Sequence, residues 1–157
     1  MASSSQLRTD EFTEFVKDAE SGLQRALVAR YGIQVGGEAA AEALAYAWEH
    51  WDRVEKMANP VGYLYRVGCT RSRRFRQSQL LFPETAISSA AWVEPELPSA
   101  LGKLSNNQRI AVLLVHSFEY THSEAADLMD IAAGTLRKHL ERGMRRLRDK
   151  LEVDDED

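Results

Sequence analysis

Long apolar runs, paired cysteines and secretory features are all missing from this 157-residue chain. No purely apolar run is longer than that from Ile110 to Val115, which is far too short to span a membrane. The single cysteine, Cys69, has no second cysteine with which to form an internal disulfide, a pattern typical of proteins in a reducing cytosol. The amino-terminal MASSSQLRTDEF contains no apolar segment like that of a secretory signal. The sequence therefore predicts a cytoplasmic protein that has no membrane association.

Side chains suited to catalysis or metal binding are present but form no pattern. The four histidines are scattered, no cysteine assists them, and no predicted helix face carries the two ligands that structural zinc requires. Acidic pairs such as Glu94 and Glu96 lie where nothing fixes their geometry. The sequence therefore predicts that the protein is not an enzyme and that it binds no cofactor and no metal.

Positive charge is concentrated in two short segments of an acidic chain. The formal net charge is −4, yet residues 61–80 contain five arginines and no acidic residue. Residues 137–150 contain seven basic residues and two acidic ones, and an acidic tail, EVDDED, follows. Two basic segments on an acidic body indicate that a polyanion such as nucleic acid is contacted at two places.

Helical periodicity and helix-capping residues predict an all-α fold. Apolar residues recur at helical spacing from about residue 10 to 31, and again in EAAAEALAYAWEHWDRV. In the next helix, Asn59 occupies the N-cap and Pro60 the first helical position. The stretch from Leu80 to Pro98 holds three of the four prolines and has no sustained period, which predicts a linker.

Beyond that stretch, a short helix, a turn and a long basic helix have the spacing of a helix-turn-helix. Ser105 with Gln108, and Thr121 with Glu124, form capping-box patterns that predict two helix starts. Asp130 occupies the turn, where it tolerates a left-handed backbone better than most residues do.

The chain is thus predicted to contain two small helical bundles, at residues 1–79 and 98–157. A linker at residues 80–97 joins them, and the helix-turn-helix lies in the second bundle. Because the linker is rich in proline, serine and alanine, we expect the bundles to move semi-independently.

Basic residues near the start of the last helix are placed to contact DNA. With Leu136 and Leu140 on the inner face, Arg137, Lys138 and Arg142 point outward at the end of a recognition helix that reaches base edges. Arginines further along the helix, up to residue 148, suit phosphates. The alternative is a solvated arginine-rich face with no ligand.

The segment from Leu104 to Arg148 resembles the −35-binding domain of bacterial RNA polymerase sigma factors of the extracytoplasmic-function group. The residues at matching places are Leu104, Arg109, Glu124, Ala126, Gly134, Thr135, Leu136, Arg137, Leu140 and Arg142. NPVGYLYRVG is similar to part of the family's domain that opens the −10 element. EALAYAWEHWDRV is similar to the helix of that domain that docks on the clamp helices of the polymerase β′ subunit. The resemblance covers nearly the whole chain from about residue 10.

This resemblance implies a sigma subunit that binds core RNA polymerase and directs it to −35/−10 promoter DNA for transcription initiation. The −35 contacts that it implies are Thr135, Arg137, Lys138, His139, Arg142 and Arg145. The −10 contacts that it implies are Tyr63, Arg66, Arg71, Arg73, Arg74, Phe75 and Arg76. The polymerase contacts that it implies are Glu42, Glu49 and Arg53. Its implied partners are core RNA polymerase and promoter DNA. Whether an anti-sigma factor is a further partner stays open.

Two departures from the family pattern leave a second function open. Thr70 and Arg74 stand where the family commonly carries Asn and Asp, and GGEAAAEAL replaces an acidic docking run. The alternative function is that of a stand-alone, sigma-like DNA-binding regulator that does not melt promoter DNA. For Tyr63 and Phe75, ordinary helix packing is likewise the alternative to stacking on unpaired bases.

Overall fold

A computed structural model describes residues 2–71 and 97–155 of the chain. Every regular element in these two ranges is a helix, which confirms the all-α prediction. The first range contains α1 (Ser4–Tyr31), α2 (Ile33–Glu49), a single turn α3 (Trp51–Val54) and α4 (Pro60–Arg71). The second contains α5 (Leu97–Gly102), α6 (Asn106–Val112), a π-helical turn (Leu113–Ser117), α7 (His122–Met129) and α8 (Ala133–Asp155). Among the helices described, none is long and apolar enough to cross a membrane.

The helix starts follow the capping residues predicted from the sequence. The Ser105 and Thr121 side chains each accept a hydrogen bond from the backbone of the third helical residue, and both capping boxes are closed. The Asn59 Oδ1 atom accepts a hydrogen bond of 3.1 Å from the backbone N–H of Gly62, so Asn59 caps α4. Asp130 ends α7 in the left-handed conformation, with φ 54° and ψ 48°.

The first bundle depends on a seam of small residues between α1 and α2. The buried residues of α2 are Val35, Gly36, Ala39, Ala40, Ala43 and Ala47. The larger apolar residues of α2 lie beside this seam and not in it. Leu44 is only partly buried, and Trp48 is 40% exposed. Trp51, in contrast, is buried. Small side chains bring the two helices closer than a stripe of leucines would allow.

The second bundle holds the helix-turn-helix. Ala125, Ala126 and Leu128 of α7 are buried, and α8 packs with Leu136 and Leu140 turned inward. Farther along α8, Gly143 lies so close to α6 that a Cβ atom there would be 2.9 Å from Cγ2 of Val112. This packing fixes which face of α8 is left to solvent.

The two bundles pack against each other in the structure, and their semi-independent motion stays a prediction. One continuous hydrophobic core runs through both, and α1 contacts α6 and α7 while α4 contacts α7. Arg109 of α6 is 4% exposed, and its guanidinium reaches the carboxyl end of α1. Most of the predicted linker at 80–97 lies outside the described residues, and Leu97, its last residue, already begins α5. The domain boundaries therefore stay a prediction.

Candidate nucleic-acid interface

The outer face of α8 carries the predicted −35 residues together. Thr135, Arg137, Lys138, Arg142 and Arg145 are exposed. Leucines on the opposite face are buried, so the helical phase assigned from the sequence is confirmed. The start of the helix is also open, because the residues from 132 to 135 are exposed as well. An exposed, basic helix of this kind fits a major groove and the phosphates that flank it.

His139 differs from its neighbours because it is half-buried. Burial lowers the pKa of its imidazole from 6.5, and the nearby Arg142 cation lowers the pKa further. His139 is therefore neutral at neutral pH. A neutral imidazole can donate or accept a hydrogen bond but adds no charge to the basic face.

One exposed arginine of α8 also has a role in packing. Arg146 donates a hydrogen bond of 3.0 Å to Oε1 of Gln108 and one of 3.2 Å to the carbonyl of Lys103. It therefore ties α8 to α6 and to the turn before it, while its contact with a phosphate stays a prediction. The exposed Arg145 keeps its outward position.

Of the predicted −10 residues, the structure describes three, all in α4. Tyr63 is half-buried, and its hydroxyl lies 3.0 Å from that of Tyr46. Arg66 is exposed and forms an ion pair of 3.1 Å with Asp130, in the turn of the helix-turn-helix. Arg71 forms an ion pair of 3.8 Å with Glu42. The predicted contacts Arg73, Arg74, Phe75 and Arg76 lie outside the described residues.

Residues predicted for two separate sites meet in one surface patch. We call this the tyrosine patch, and its members are Glu42, Tyr46, Arg53, Tyr63 and Arg71. Arg53 donates a hydrogen bond to the hydroxyl of Tyr46, and the Arg53 Nη2 atom lies 3.5 Å from the Tyr63 hydroxyl. The Arg71 guanidinium lies 5.2 Å from the centre of the Tyr46 ring. The predicted polymerase contact Glu49 is exposed at the end of α2.

Tyr46 was missed by reasoning from the sequence, although a signal was present. It follows Glu42 by one helical turn, so the two residues share one face of α2. The hydrogen bond with Tyr63 raises the pKa of Tyr46, and burial raises it further, so the phenol keeps its proton at neutral pH. The patch thus presents two tyrosine rings beside two arginines, a combination that suits phosphates and stacked bases.

The described residues offer no alternative metal centre. Within residues 2–71 and 97–155, no group of three His, Cys, Asp or Glu side chains is placed to hold a metal ion.

Comparisons with known proteins agree with the fold and the position of the helix-turn-helix. Residues 95–147 match the family described as Sigma-70, region 4. The RNA polymerase sigma-E factor of Streptomyces coelicolor is 28% identical over 158 residues, covering 94% of this chain and 89% of that protein. These matches confirm the resemblance to bacterial sigma factors of the extracytoplasmic-function group that the sequence predicted.

Two solved structures share the architecture at lower identity. The sigma factor RpoE from Bartonella quintana, in complex with the anti-sigma factor NepR, has a TM-score of 0.59 and 23% identity, covering 92% of this chain and 98% of that one. CnrH, in complex with the cytosolic domain of CnrY, has a TM-score of 0.62 and 19% identity, covering 93% of this chain and 90% of that one. At these identities the similarity establishes the fold alone.

Proposed function

We propose that this chain, which is similar to sigma factors over most of its length, is a sigma subunit of bacterial RNA polymerase. It binds core polymerase through the first bundle and directs it to −35/−10 promoter DNA for transcription initiation. It works in the cytoplasm, where polymerase and promoter DNA are found, and catalyses no reaction of its own. An anti-sigma factor is a further candidate partner, since the similar RpoE of Bartonella quintana was solved with one.

The observation that carries this proposal is the exposed start of α8. Leu136 and Leu140 anchor the helix in the core, so Arg137 and Lys138 project from its first two turns into solvent. Side chains at the start of a recognition helix reach base edges, whereas those farther along reach phosphates. We assign −35 recognition to this end of the helix.

A matched pair of lysine substitutions tests the −35 assignment. Lys138→Ala is expected to weaken binding to a −35 duplex about 5- to 150-fold if Lys138 contacts a base, which corresponds to about 1–3 kcal/mol. Lys17→Ala removes the same charge from an exposed site on α1 and serves as the control. Fluorescence anisotropy with cognate and scrambled duplexes at a fixed salt concentration gives both affinities. Equal losses for the two variants would contradict the assignment.

For polymerase docking, the first bundle offers Glu49 and Arg53, which are both exposed. Glu42 is the weaker candidate, since its carboxylate is paired with Arg71. A charge reversal, Glu49→Lys, is expected to reduce co-elution with core polymerase and to leave −35 duplex binding unchanged. If core binding survives the reversal, docking does not use the end of α2.

The stand-alone regulator stays the second candidate, and one observation favours it. In the −10 region, Arg66 and Tyr63 are engaged with other protein groups, Asp130 and Tyr46. Run-off transcription with purified core polymerase, combined with permanganate footprinting of unpaired thymines near −10, separates the two functions. A chain that binds −35 DNA but gives neither transcripts nor reactive thymines is the regulator.

A further inference from the structure

We propose that Arg146 is a positioning residue for −35 recognition: its guanidinium fixes the direction of α8 and so aims the start of that helix at base edges. The inference rests on the proposed function, because the side chains that it aims are Arg137 and Lys138. It is carried by a cluster of contacts about two turns farther along α8, which we call the brace. The brace consists of Arg146, Gly143, Gln108 and the backbone carbonyl of Lys103.

The guanidinium of Arg146 binds two parts of the second bundle at once. Its Nη1 atom donates a hydrogen bond of 3.0 Å to Oε1 of Gln108, in the first turn of α6. Its Nη2 atom donates one of 3.2 Å to the carbonyl of Lys103, in the turn between α5 and α6. Because the donors of a planar guanidinium have fixed relative directions, both bonds form together only over a narrow range of α8 orientations. An ammonium group on a flexible stem imposes no such restriction.

The acceptor on α6 is held in place by its own helix. The backbone N–H of Gln108 donates a hydrogen bond of 3.2 Å to Oγ of Ser105, and Oε1 of Gln108 accepts one of 3.3 Å from the backbone N–H of Ser105. These two bonds close the capping box of α6. The Gln108 side chain is therefore not free to follow Arg146, and it serves as a fixed reference for α8.

Gly143 brings α8 close enough to α6 for the brace to form. A Cβ atom at Gly143 would lie 2.9 Å from Cγ2 of Val112 and 3.3 Å from the carbonyl oxygen of Gln108. Gly143 precedes Arg146 by three residues, so the two residues are neighbours on one side of the helix. Gln108 thus meets α8 twice, through the close approach of Gly143 and through the hydrogen bond with Arg146.

Apolar packing alone does not fix the direction of α8. Leu136, Leu140 and Leu147 hold the helix against the core, but apolar contacts are non-directional and allow small tilts. Arg146 lies about 12 Å along the helix from Lys138, so a tilt of about 10° at the brace moves the start of α8 by about 2 Å. Hydrogen bonds to base edges form over a range of only about 0.5 Å, whereas phosphate attraction acts over longer distances. Loss of the brace is therefore expected to reduce base discrimination more than general DNA affinity.

A substitution that keeps the charge separates positioning from phosphate binding. Arg146→Lys retains the cation but loses the two-donor fork. We expect it to lower the ratio of affinities for a specific and a scrambled duplex by about 5- to 30-fold, as the loss of one base contact does. The specific duplex is one that the wild-type chain enriches from a randomised library. Fluorescence anisotropy of the full chain, at several salt concentrations, gives both affinities.

Substitutions of the acceptor provide a second arm, since Gln108 is not among the proposed DNA contacts. Gln108→Leu removes the acceptor and is expected to lower the affinity ratio as Arg146→Lys does. The two substitutions together are expected to cause no further loss, because each removes the same bond. Gln108→Glu keeps an acceptor for the capping box and offers Arg146 a carboxylate, so it is expected to retain the wild-type ratio.

Two further variants calibrate the measurement. Arg25→Lys makes the same change at an exposed position of α1, and it is expected to leave the ratio at the wild-type value. Arg145→Ala represents a phosphate contact, so it is expected to weaken both duplexes alike and to reduce the salt slope by about 1. Since exposed polar pairs contribute little to stability, loss of the brace is expected to lower the melting midpoint by no more than about 4 °C. All variants can then be compared as folded proteins.

The outcomes separate the brace from the function on which it rests. An unchanged affinity ratio in Arg146→Lys would overturn the positioning role, and so would losses that add up in the double variant. Equal weakening of both duplexes by Arg146→Ala, with a smaller salt slope, would assign Arg146 to a phosphate instead. A wild-type chain that enriches no sequence from the library would overturn −35 recognition itself, and the positioning role with it.

Discussion

Two neighbouring glycines in α2 are predicted to respond oppositely to the same substitution. A Cβ atom at Gly36 would lie 2.5 Å from both the Cα and the N of Val28, and 2.6 Å from the carbonyl oxygen of Leu27. A Cβ atom at Gly37 would meet nothing within 4 Å. Both positions are helical, so Gly36→Ala and Gly37→Ala change intrinsic helix propensity equally. Any difference between the variants therefore reports the packing of α2 on α1.

The size of the difference follows from these contacts. Alanine in place of glycine stabilises a helix interior by about 1 kcal/mol, which is the whole expected effect at Gly37. At Gly36 the new methyl group overlaps backbone atoms of α1, which cannot rotate away as a flexible side chain would. Overpacking typically costs about 1–3 kcal/mol, and more where the obstacle is rigid. We therefore expect Gly37→Ala to raise the free energy of unfolding by about 0.5–1 kcal/mol. At Gly36 the overpacking cost exceeds this gain, so Gly36→Ala is expected to lower the free energy of unfolding by about 1–2 kcal/mol.

Urea unfolding followed by far-ultraviolet circular dichroism measures both values, provided that the slope with denaturant is unchanged. The −35 duplex affinity of each folded variant serves as a check that the second bundle is intact. Equal unfolding free energies for Gly36→Ala and Gly37→Ala would refute the close approach of the two helices at this seam. Stabilisation by both would mean that α2 is rotated relative to the arrangement described.

Three further outcomes are expected. Arg109→Met keeps the apolar stem but removes the hydrogen bonds to α1, so it is expected to lower the free energy of unfolding in urea by about 2–4 kcal/mol. The control, Arg137→Met, is expected to stay within about 0.5 kcal/mol of wild type. Because the pKa of His139 is lowered on folding, the unfolded chain binds the proton more tightly, and the free energy of unfolding falls as pH decreases below 6.5. His139→Gln is expected to reduce that fall when melting temperatures are compared across pH. Thr121→Ala is expected to cost about 1 kcal/mol by removing the cap of α7, and thermal melting of the variant checks the loss.

The ends of the helices could be predicted because their signals are local. Asn59, Ser105 and Thr121 cap helices through hydrogen bonds that span three residues, and the sequence shows both partners of each bond. The left-handed Asp130 is equally local, since its own side chain decides what its backbone tolerates. The outward face of α8 follows from the phase of Leu136 and the leucines after it. These features need no knowledge of the rest of the chain.

The buried face of α2 could not be predicted in the same way. A reading of periodicity gives more weight to Leu44 and Trp48 than to alanine or glycine, although the seam is made of small residues. The small residues contribute by letting the two helices approach closely, and this depends on the surface of α1 that faces them. The tyrosine patch could not be predicted for a related reason, because its members come from α2, α3 and α4. Only the packing of these helices brings Tyr46 to Tyr63.

The contact between the bundles shows where local rules stop. Arg109 and Asn59 each have a role that the sequence suggests, one as a residue of the family pattern and the other as a helix cap. In the folded chain each also donates to backbone carbonyls of the other bundle, at Ala29 and at Asp127. Every residue has a backbone carbonyl, so residue types do not indicate which carbonyl accepts a bond. Periodicity, charge and spacing therefore could not predict these partners. The Asn59 side chain caps α4 through Oδ1 and binds α7 through Nδ2. Replacing it with aspartate would keep the cap but would turn the long-range bond into a repulsive contact between a carboxylate oxygen and the Asp127 carbonyl. One residue can thus separate what the sequence predicts from what the fold adds.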